Sequence, residues 1–203
     1  MAWVDELEPG APDVVAAWRG IDAGRFISVR REVRRRTGAG STERVVPQLA
    51  ALAEALAAIV RALPNSALAL PGGEGDWNVA QTVNHDTHAR AGLVLAAGLA
   101  AANRWPADAP TVVPGVPGPA DATRDDLLRR IAQSQRVIER SARSIAGHEA
   151  DPCPLEHPLV GRLRCGEWLL FAGVHDLMHL EQLHRLAGSL IGAAPAAGSH
   201  GVS

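Results

Sequence analysis

"FAGVHDLMHLEQLHRL", Phe171 to Leu186, carries three of the chain's eight histidines, and two of them, His175 and His179, stand four residues apart. The segment reads as the body of a final helix that opens at Cys165 or Gly166, runs to about Leu186 and stops at Gly188. On an α-helix, residues i and i+4 share one face a turn apart, so these two imidazoles can aim at one point. Gln182 stays on that face, whereas His184 points elsewhere, toward the surface. The pair is either two ligands of a metal or a polar stripe on an ordinary helix. H-x-x-x-H is too common to decide, so the answer depends on what the other helices bring to the same face.

Those helices are legible from periodicity, because strand signals are scarce: the chain has no Tyr, two Phe and no strictly alternating stretch. From Val14 to Arg36 the residues Trp18, Ile21, Phe26, Val29 and Val33 trace an apolar stripe that ends at Thr37-Gly38, an accessory helical segment within residues 1–40. "STERVVPQLAALAEALAAIVRALP" is a second helix, with Ser41 or Thr42 as its cap and Pro47 in the first turn of its main body. After a Gly- and Pro-containing loop, "DWNVAQTVNHDTHARAGLVLAAGLAAAN" is a long helix entered near Asp76 or Asn78. The proline-rich "WPADAPTVVPGVPGPADA" is an extended connection long enough to cover a cleft. "TRDDLLRRIAQSQRVIERSARSIAG" follows, with Thr123 and Asp126 as a capping box and Leu127, Ile131, Ser134, Ile138 and Ile145 on its inner face. "HEADPCPLEHPLVGRLR" reads as irregular. Four long helices and one long crossover predict an all-α four-helix bundle over residues 41–188, with residues 189–203 as a disordered tail.

Composition narrows the function. A net charge of -2 argues against a nucleic-acid binder that works by broad basic attraction. The basic run "RREVRRR", Arg30 to Arg36, reads as a solvated helix end. Two cysteines make no disulfide framework, "MAWVDELEPG" is no signal peptide, and "LVLAAGLAAANRW" is too short and weakly hydrophobic to span a membrane. A cytoplasmic protein with a small-molecule substrate, no membrane or nucleic-acid partner, and a homodimeric assembly is the resulting expectation.

A third ligand for His175 and His179 has to come from another helix, and the helix after Trp77 carries both His85 and His88. An approximate inner stripe of Ala80, Val83, Thr87 and Ala91, with His88 beside it, does not choose between them. "DWNVAQTVNHDTHA" resembles the motif of the DinB/YfiT-like superfamily, in which a Trp-led helix start precedes a histidine by eight residues. "HPLVGRLRCGEWLLFAGVHDLMHLEQL" resembles the same superfamily's closing segment, with its His-Pro, its Glu-led helix and an H-x-x-x-H followed by Gln. The resemblance covers roughly Gln48 to Gly188 and implies His85, His175 and His179 as metal ligands. It departs from the family at Cys165, where a Ser or Thr cap is usual. A thiol at a helix N-terminus is drawn toward thiolate by the dipole, whereas its plainer role is a small buried cap.

Three imidazoles with one position left open form a catalytic rather than a closed arrangement, suited to Zn²⁺ and also to Ni²⁺ or Fe²⁺. The resemblance implies a metal-dependent S-transferase or isomerase that uses a low-molecular-weight thiol. The Ala-, Arg-, Gly- and Pro-rich composition, which suggests a GC-rich coding sequence, favours mycothiol over bacillithiol, with arginines near the cleft binding its polar body. Metal-water hydrolysis and a non-catalytic, stress-related metal-binding protein are the alternatives. Gln182 is the candidate catalytic residue beside the metal, as a hydrogen-bond partner of a ligand or of the bound species. Asp176 points about 100° away from His175 and suits an outer role or solvent. Trp77 and Trp168 read as packing residues, His157 as a surface-loop histidine, and Glu167 as a carboxylate favoured by the helix dipole.

Overall fold

The fold is all-α, with one small hairpin, in a computed structural model that describes residues 2–22, 26–73 and 75–192. In chain order the elements are α1 (Ala2–Leu7), α2 (Pro12–Arg19), α3 (Phe26–Arg36), α4 (Ser41–Ala62), a 3₁₀ turn (Asn65–Ala69), α5 (Val79–Ala101), α6 (Arg124–Ile145), β1 (Pro152–His157), β2 (Gly161–Arg164) and α7 (Cys165–Gly192). The long helices pack as a ring in which α5 and α4 each lie between α6 and α7. Gly98 permits the close approach of α5 to α6, since a Cβ there would stand 2.9 Å from the Ser141 carbonyl oxygen. By length and composition α4 alone among the described helices would suffice to cross a membrane. Its Leu49, Leu52, Leu56 and Val60 are buried in the core instead.

The starts of the helices show where local signals sufficed. Asn78 and Gln81 form a reciprocal capping box on α5, and Thr123 and Asp126 form the expected one on α6. All five residues expected on the inner face of α6 are buried. The start of α4 differs from expectation. Gly40, at φ 73°, occupies the cap position with no side-chain cap, and the helix already includes Ser41. The Thr42 N–H and hydroxyl donate instead to the buried Glu149 carboxylate, 3.4 and 2.9 Å away. Burial works to raise the Glu149 carboxyl, but hydrogen bonds from the backbone and Thr42 hold it below its ordinary value. With the helix starting so early, Pro47 lies in its second turn, on the exposed side, where it removes one hydrogen bond of the ladder.

Three further expectations are corrected. The helix expected over residues 14–36 is two helices, because α3 folds back along α2: a Cβ on Gly20, at the end of α2, would stand 2.4 Å from Glu32 Oε2. Val29 and Val33 of the expected stripe are buried, Trp18 and Ile21 are half-buried, and the Phe26 side chain lies outside the described residues. The segment expected to be irregular forms the antiparallel β1–β2 hairpin, whose alternating buried side chains Cys153 and Leu155 face the core. The pairing is short and interrupted by a bulge, which is why the sequence shows so little alternation. Finally, α7 does not stop at Gly188 but continues to Gly192, and residues 193–203 lie outside the described residues.

The basic run is organised rather than merely solvated. Buried Glu32 pairs with Arg31, Arg35 and Arg36, and Arg34 reaches the buried Glu167 of α7 at 2.8 Å. Glu167 also accepts from the Arg164 N–H, so it is a structural anchor of the α7 start. Gln48 of α4 accepts from the Asp13 and Val14 N–H groups, satisfying the first turn of α2, which packs on α7. The N-terminal segment is thereby fastened to the bundle.

Candidate metal centre

His85 projects from the second turn of α5, and His175 and His179 project from α7, the helix packed beside it. The His85 ring centroid lies 5.4 Å from that of His175 and 5.2 Å from that of His179. One ring nitrogen from each of the three lies within 4.8 Å of the others. His175 Nε2 and His179 Nε2 are 3.4 Å apart. His88, which the sequence left as a rival, is exposed on another face of α5, and Ala91 is only half-buried. Ala80, Val83 and Thr87 of the expected stripe are buried, and the inner face also takes in Asp86, Arg90 and Leu93.

Each of the three rings is oriented through Nδ1. The His85 Nδ1 faces the Val116 carbonyl oxygen at 3.0 Å, that of His175 faces Asp86 Oδ1 at 3.3 Å, and that of His179 faces Gln182 Oε1 at 2.8 Å. All three partners are acceptors, so each Nδ1 carries the proton and each Nε2 keeps a lone pair. Two such lone pairs facing each other at 3.4 Å repel unless a cation lies between them. Nitrogens around a tetrahedral ion, each about 2.0–2.1 Å from it, stand roughly 3.3 Å apart. The donor set thus fits a divalent ion, with an oxygen acceptor behind each imidazole in the manner that tunes metal-binding histidines. Burial lowers the His179 pKa, which keeps the ring neutral and able to donate its lone pair.

Beneath the histidines lies a polar knot that sequence reasoning missed. Arg90 is fully buried and touches every wall of the bundle. Its Nε donates to both Asp176 oxygens on α7 at 3.1 and 3.0 Å. Its Nη1 donates to Ser134 Oγ on α6 at 2.9 Å, and its Nη2 to the Leu49 carbonyl oxygen on α4 at 2.8 Å. Asp176 is therefore turned away from solvent and ties α7 to α5. Burial raises its carboxyl well above the ordinary range, opposed by Arg90 and reinforced by the Asp86 charge. Burial acts in the same sense on Asp86, but the hydrogen bond to His175 and the charges around it leave that carboxyl lowered. Asp86 Oδ2 is buried in this knot without a hydrogen-bond partner among the described residues. In sequence, Asp86 and Arg90 look like an ordinary i,i+4 surface pair, and only burial reveals their role.

The three histidines form part of the wall of a cavity of about 370 Å³. Trp77, Leu93, Val174 and Phe171 supply apolar lining from α5, α7 and the turn before α5, and Trp18, Ile21 and Val29 close it from the N-terminal segment. Trp77 is thus a cavity residue, 4.8 Å from the His85 ring, while Trp168 is buried as expected. His157 also lines the cavity rather than the open surface, edge-on to Phe171 at 5.4 Å. Burial, with His175 and His85 nearby, lowers its pKa to about 4. Its Nδ1 accepts from the Leu159 N–H, so the neutral ring carries its proton on Nε2. Gln182 is not among the lining residues and acts on the site through His179. No arginine among the described residues lines the cavity, Asp22 is the only carboxylate among its lining residues, and Arg31 reaches that carboxylate at 4.0 Å.

Cys165 is fully buried at the start of α7 and does not line the cavity. The neighbouring Cys153 sulfur and burial both push its thiol up, away from thiolate. The first N–H groups of α7 are already occupied by the Asp151 and Glu149 carbonyl oxygens, which leaves Cys165 as a small packed residue.

A sequence model described as the DinB superfamily matches residues 48–183, well over half of the chain. The chain belongs to the DinB superfamily. The DinB match spans α5 and most of α7, so it contains His85, His175, His179 and Gln182, and it leaves α1, α2 and α3 outside. No curated protein and no solved structure matches the chain.

Proposed function

We propose that this DinB-superfamily protein is a metal-dependent enzyme in which His85, His175 and His179 hold one divalent ion, zinc in the first instance and nickel or iron as alternatives. The reaction assigned to it is S-transfer or isomerisation with a low-molecular-weight thiol of the mycothiol type. The observation that carries the reading is the convergence of the three histidines, each with Nδ1 on an oxygen acceptor, in the wall of an apolar cavity rather than sealed in the core. An ion bound there supplies Lewis acidity, which turns a thiol or a water into a nucleophile near neutral pH.

The chain's own residues account for the remainder. Val116, Asp86 and Gln182 hold the three rings in register, so the ligand set forms without reorganisation. Trp77, Phe171 and Val174 exclude water around the reacting groups and favour an electrophile with an apolar body. His157, neutral and protonated on Nε2, can donate a hydrogen bond to negative charge developing on that electrophile. The polar body of the thiol would lie at the solvent side, near Asp22.

Metal content measured by mass spectrometry on untagged protein tests the proposal. Near one ion per chain is expected for wild type and for His184→Ala, whose ring stacks on Trp3 away from the site, and none for His179→Ala. Turnover of electrophiles that needs added thiol then marks a transferase or isomerase, and turnover with water alone marks a hydrolase. Wild type that binds no metal after incubation with Zn²⁺, Ni²⁺ and Fe²⁺ overturns the reading.

A further inference from the structure

A second cavity, about 230 Å³, opens beside the first under the proline-rich crossover, residues 105–119. The two adjoin, since His85, Ala89, Leu93, Val113 and Pro114 line both. The floor of the second cavity is the outer face of α5, with Gly92, Ala96 and Leu99, and its roof includes Trp105, Pro106 and Pro110. Apart from His85 and His88, its lining is apolar. Of the six exposed large apolar side chains among the described residues, four rim one cavity or the other: Leu95 and Val112 the second, Leu159 and Met178 the first. Isolated exposed leucines need no explanation, but a rim of them around two adjoining apolar cavities does.

We infer that the second cavity is a subsite for an unbranched alkyl or acyl chain of the substrate whose reacting end lies at the three histidines. The inference rests on the function proposed above and names its substrate class: an amphiphile with a long aliphatic tail. The shape supports a chain rather than a compact group. From His85 to Leu99, α5 runs about 21 Å beneath both cavities at 1.5 Å per residue. The roof is held at its middle and at its C-terminal end. Val113 donates its N–H to the Glu156 carbonyl oxygen of β1, and Asn84 and Asn78 donate to the carbonyls of Pro119 and Ala120. A roof pinned in this way keeps the cavity open before any ligand arrives, and neither Asp108 nor Thr111 of the crossover lines it.

Isothermal titration calorimetry with straight-chain carboxylates from butanoate to decanoate tests this on wild type and Gly92→Leu. A Cβ on Gly92 meets nothing within 4 Å, and Leu favours a helix over Gly, so the variant folds while its side chain fills the second cavity. In wild type each added methylene should tighten binding about fourfold, the equivalent of about 0.8 kcal/mol, up to a plateau. In Gly92→Leu the plateau should come at a shorter chain, with metal content unchanged. Affinity that ignores chain length, or a plateau at the same length in both proteins, overturns the inference. Repeating the series after chelation separates the two readings. Failure of the metal proposal shows as absent metal with the chain-length slope intact, whereas failure of the tail subsite shows as no slope, or no shift of the plateau, in a metal-loaded protein.

Discussion

Replacing Arg90 by Met removes the one cation of a knot that touches all four long helices. Arg90 is 0 % exposed and Asp176 1 %, so the carboxylates left behind cannot turn to water. The Leu49 carbonyl oxygen loses the Nη2 donor as well, and Ser134 loses its Nη1 partner. Removing one member of a buried ion pair costs about 3–5 kcal/mol, mostly because the other charge remains uncompensated. That is a large part of the roughly 5–15 kcal/mol that holds a domain together. Removing the partner too should be far less harmful: Arg90→Met with Asp176→Leu should recover at least about 2 kcal/mol relative to the sum of the single variants, since apolar side chains of similar volume can replace a buried pair. Urea unfolding at pH 7, with chelator present in every sample so that metal binding adds no stability, measures all corners of the cycle. A loss below about 1 kcal/mol for Arg90→Met, or a double variant as unstable as the sum of the singles, would refute the claim that this pair is buried and mutually dependent.

Gly118 lies over Asn84, and a Cβ there would stand 2.0 Å from the Asn84 Cβ. Gly118→Ala should therefore displace the crossover, cost about 1–3 kcal/mol of stability and, by moving the Val116 carbonyl away from His85, weaken metal binding about 10–100-fold. Gly115→Ala on the same crossover, where a Cβ meets nothing within 4 Å, should leave competitive chelator titrations at the wild-type value. His157 titrates at about 4 in the folded chain, below the ordinary 6.5. The unfolded chain therefore binds more protons between those values, and stability present above about pH 6.5 is lost as pH falls toward 4. Metal-stripped wild type should lose more stability between pH 7 and pH 5 than metal-stripped His157→Phe, and equal slopes in denaturant titrations would remove His157 as a source of that dependence.

The histidine pair of α7, the helix entry near Asn78 and the capping box of α6 could be read directly, because each depends on residues within one or two turns of the same helix. The α6 face was legible for the same reason: period and burial agree along Leu127, Ile131, Ser134, Ile138 and Ile145. Periodicity failed on α5, where the buried face mixes Asp86 and Arg90 with Val83 and Leu93, so hydrophobicity does not mark the inside. The choice of His85 over His88 came from resemblance to a family motif, since the two stand three residues apart on similar faces. Packing against α7 puts only His85 beside His175 and His179.

What the sequence determined by itself was local: where helices form, where most of them start, and that one of them presents two imidazoles on a single face. What tertiary structure decided were the interactions that span large separations along the chain. Glu149 caps α4 from 107 residues away, and Arg90 reaches Asp176 across 86. Val116, 31 residues from His85, sets that ring's tautomer. The same holds for the N-terminal segment, whose Trp18, Ile21 and Val29 look like an ordinary apolar stripe until folding makes them a wall of the cavity. The physical reason is common to all of these. A buried polar or charged group needs a partner, and the partner that satisfies it is whichever group the packed helices bring within hydrogen-bond distance, which no local pattern of residues encodes.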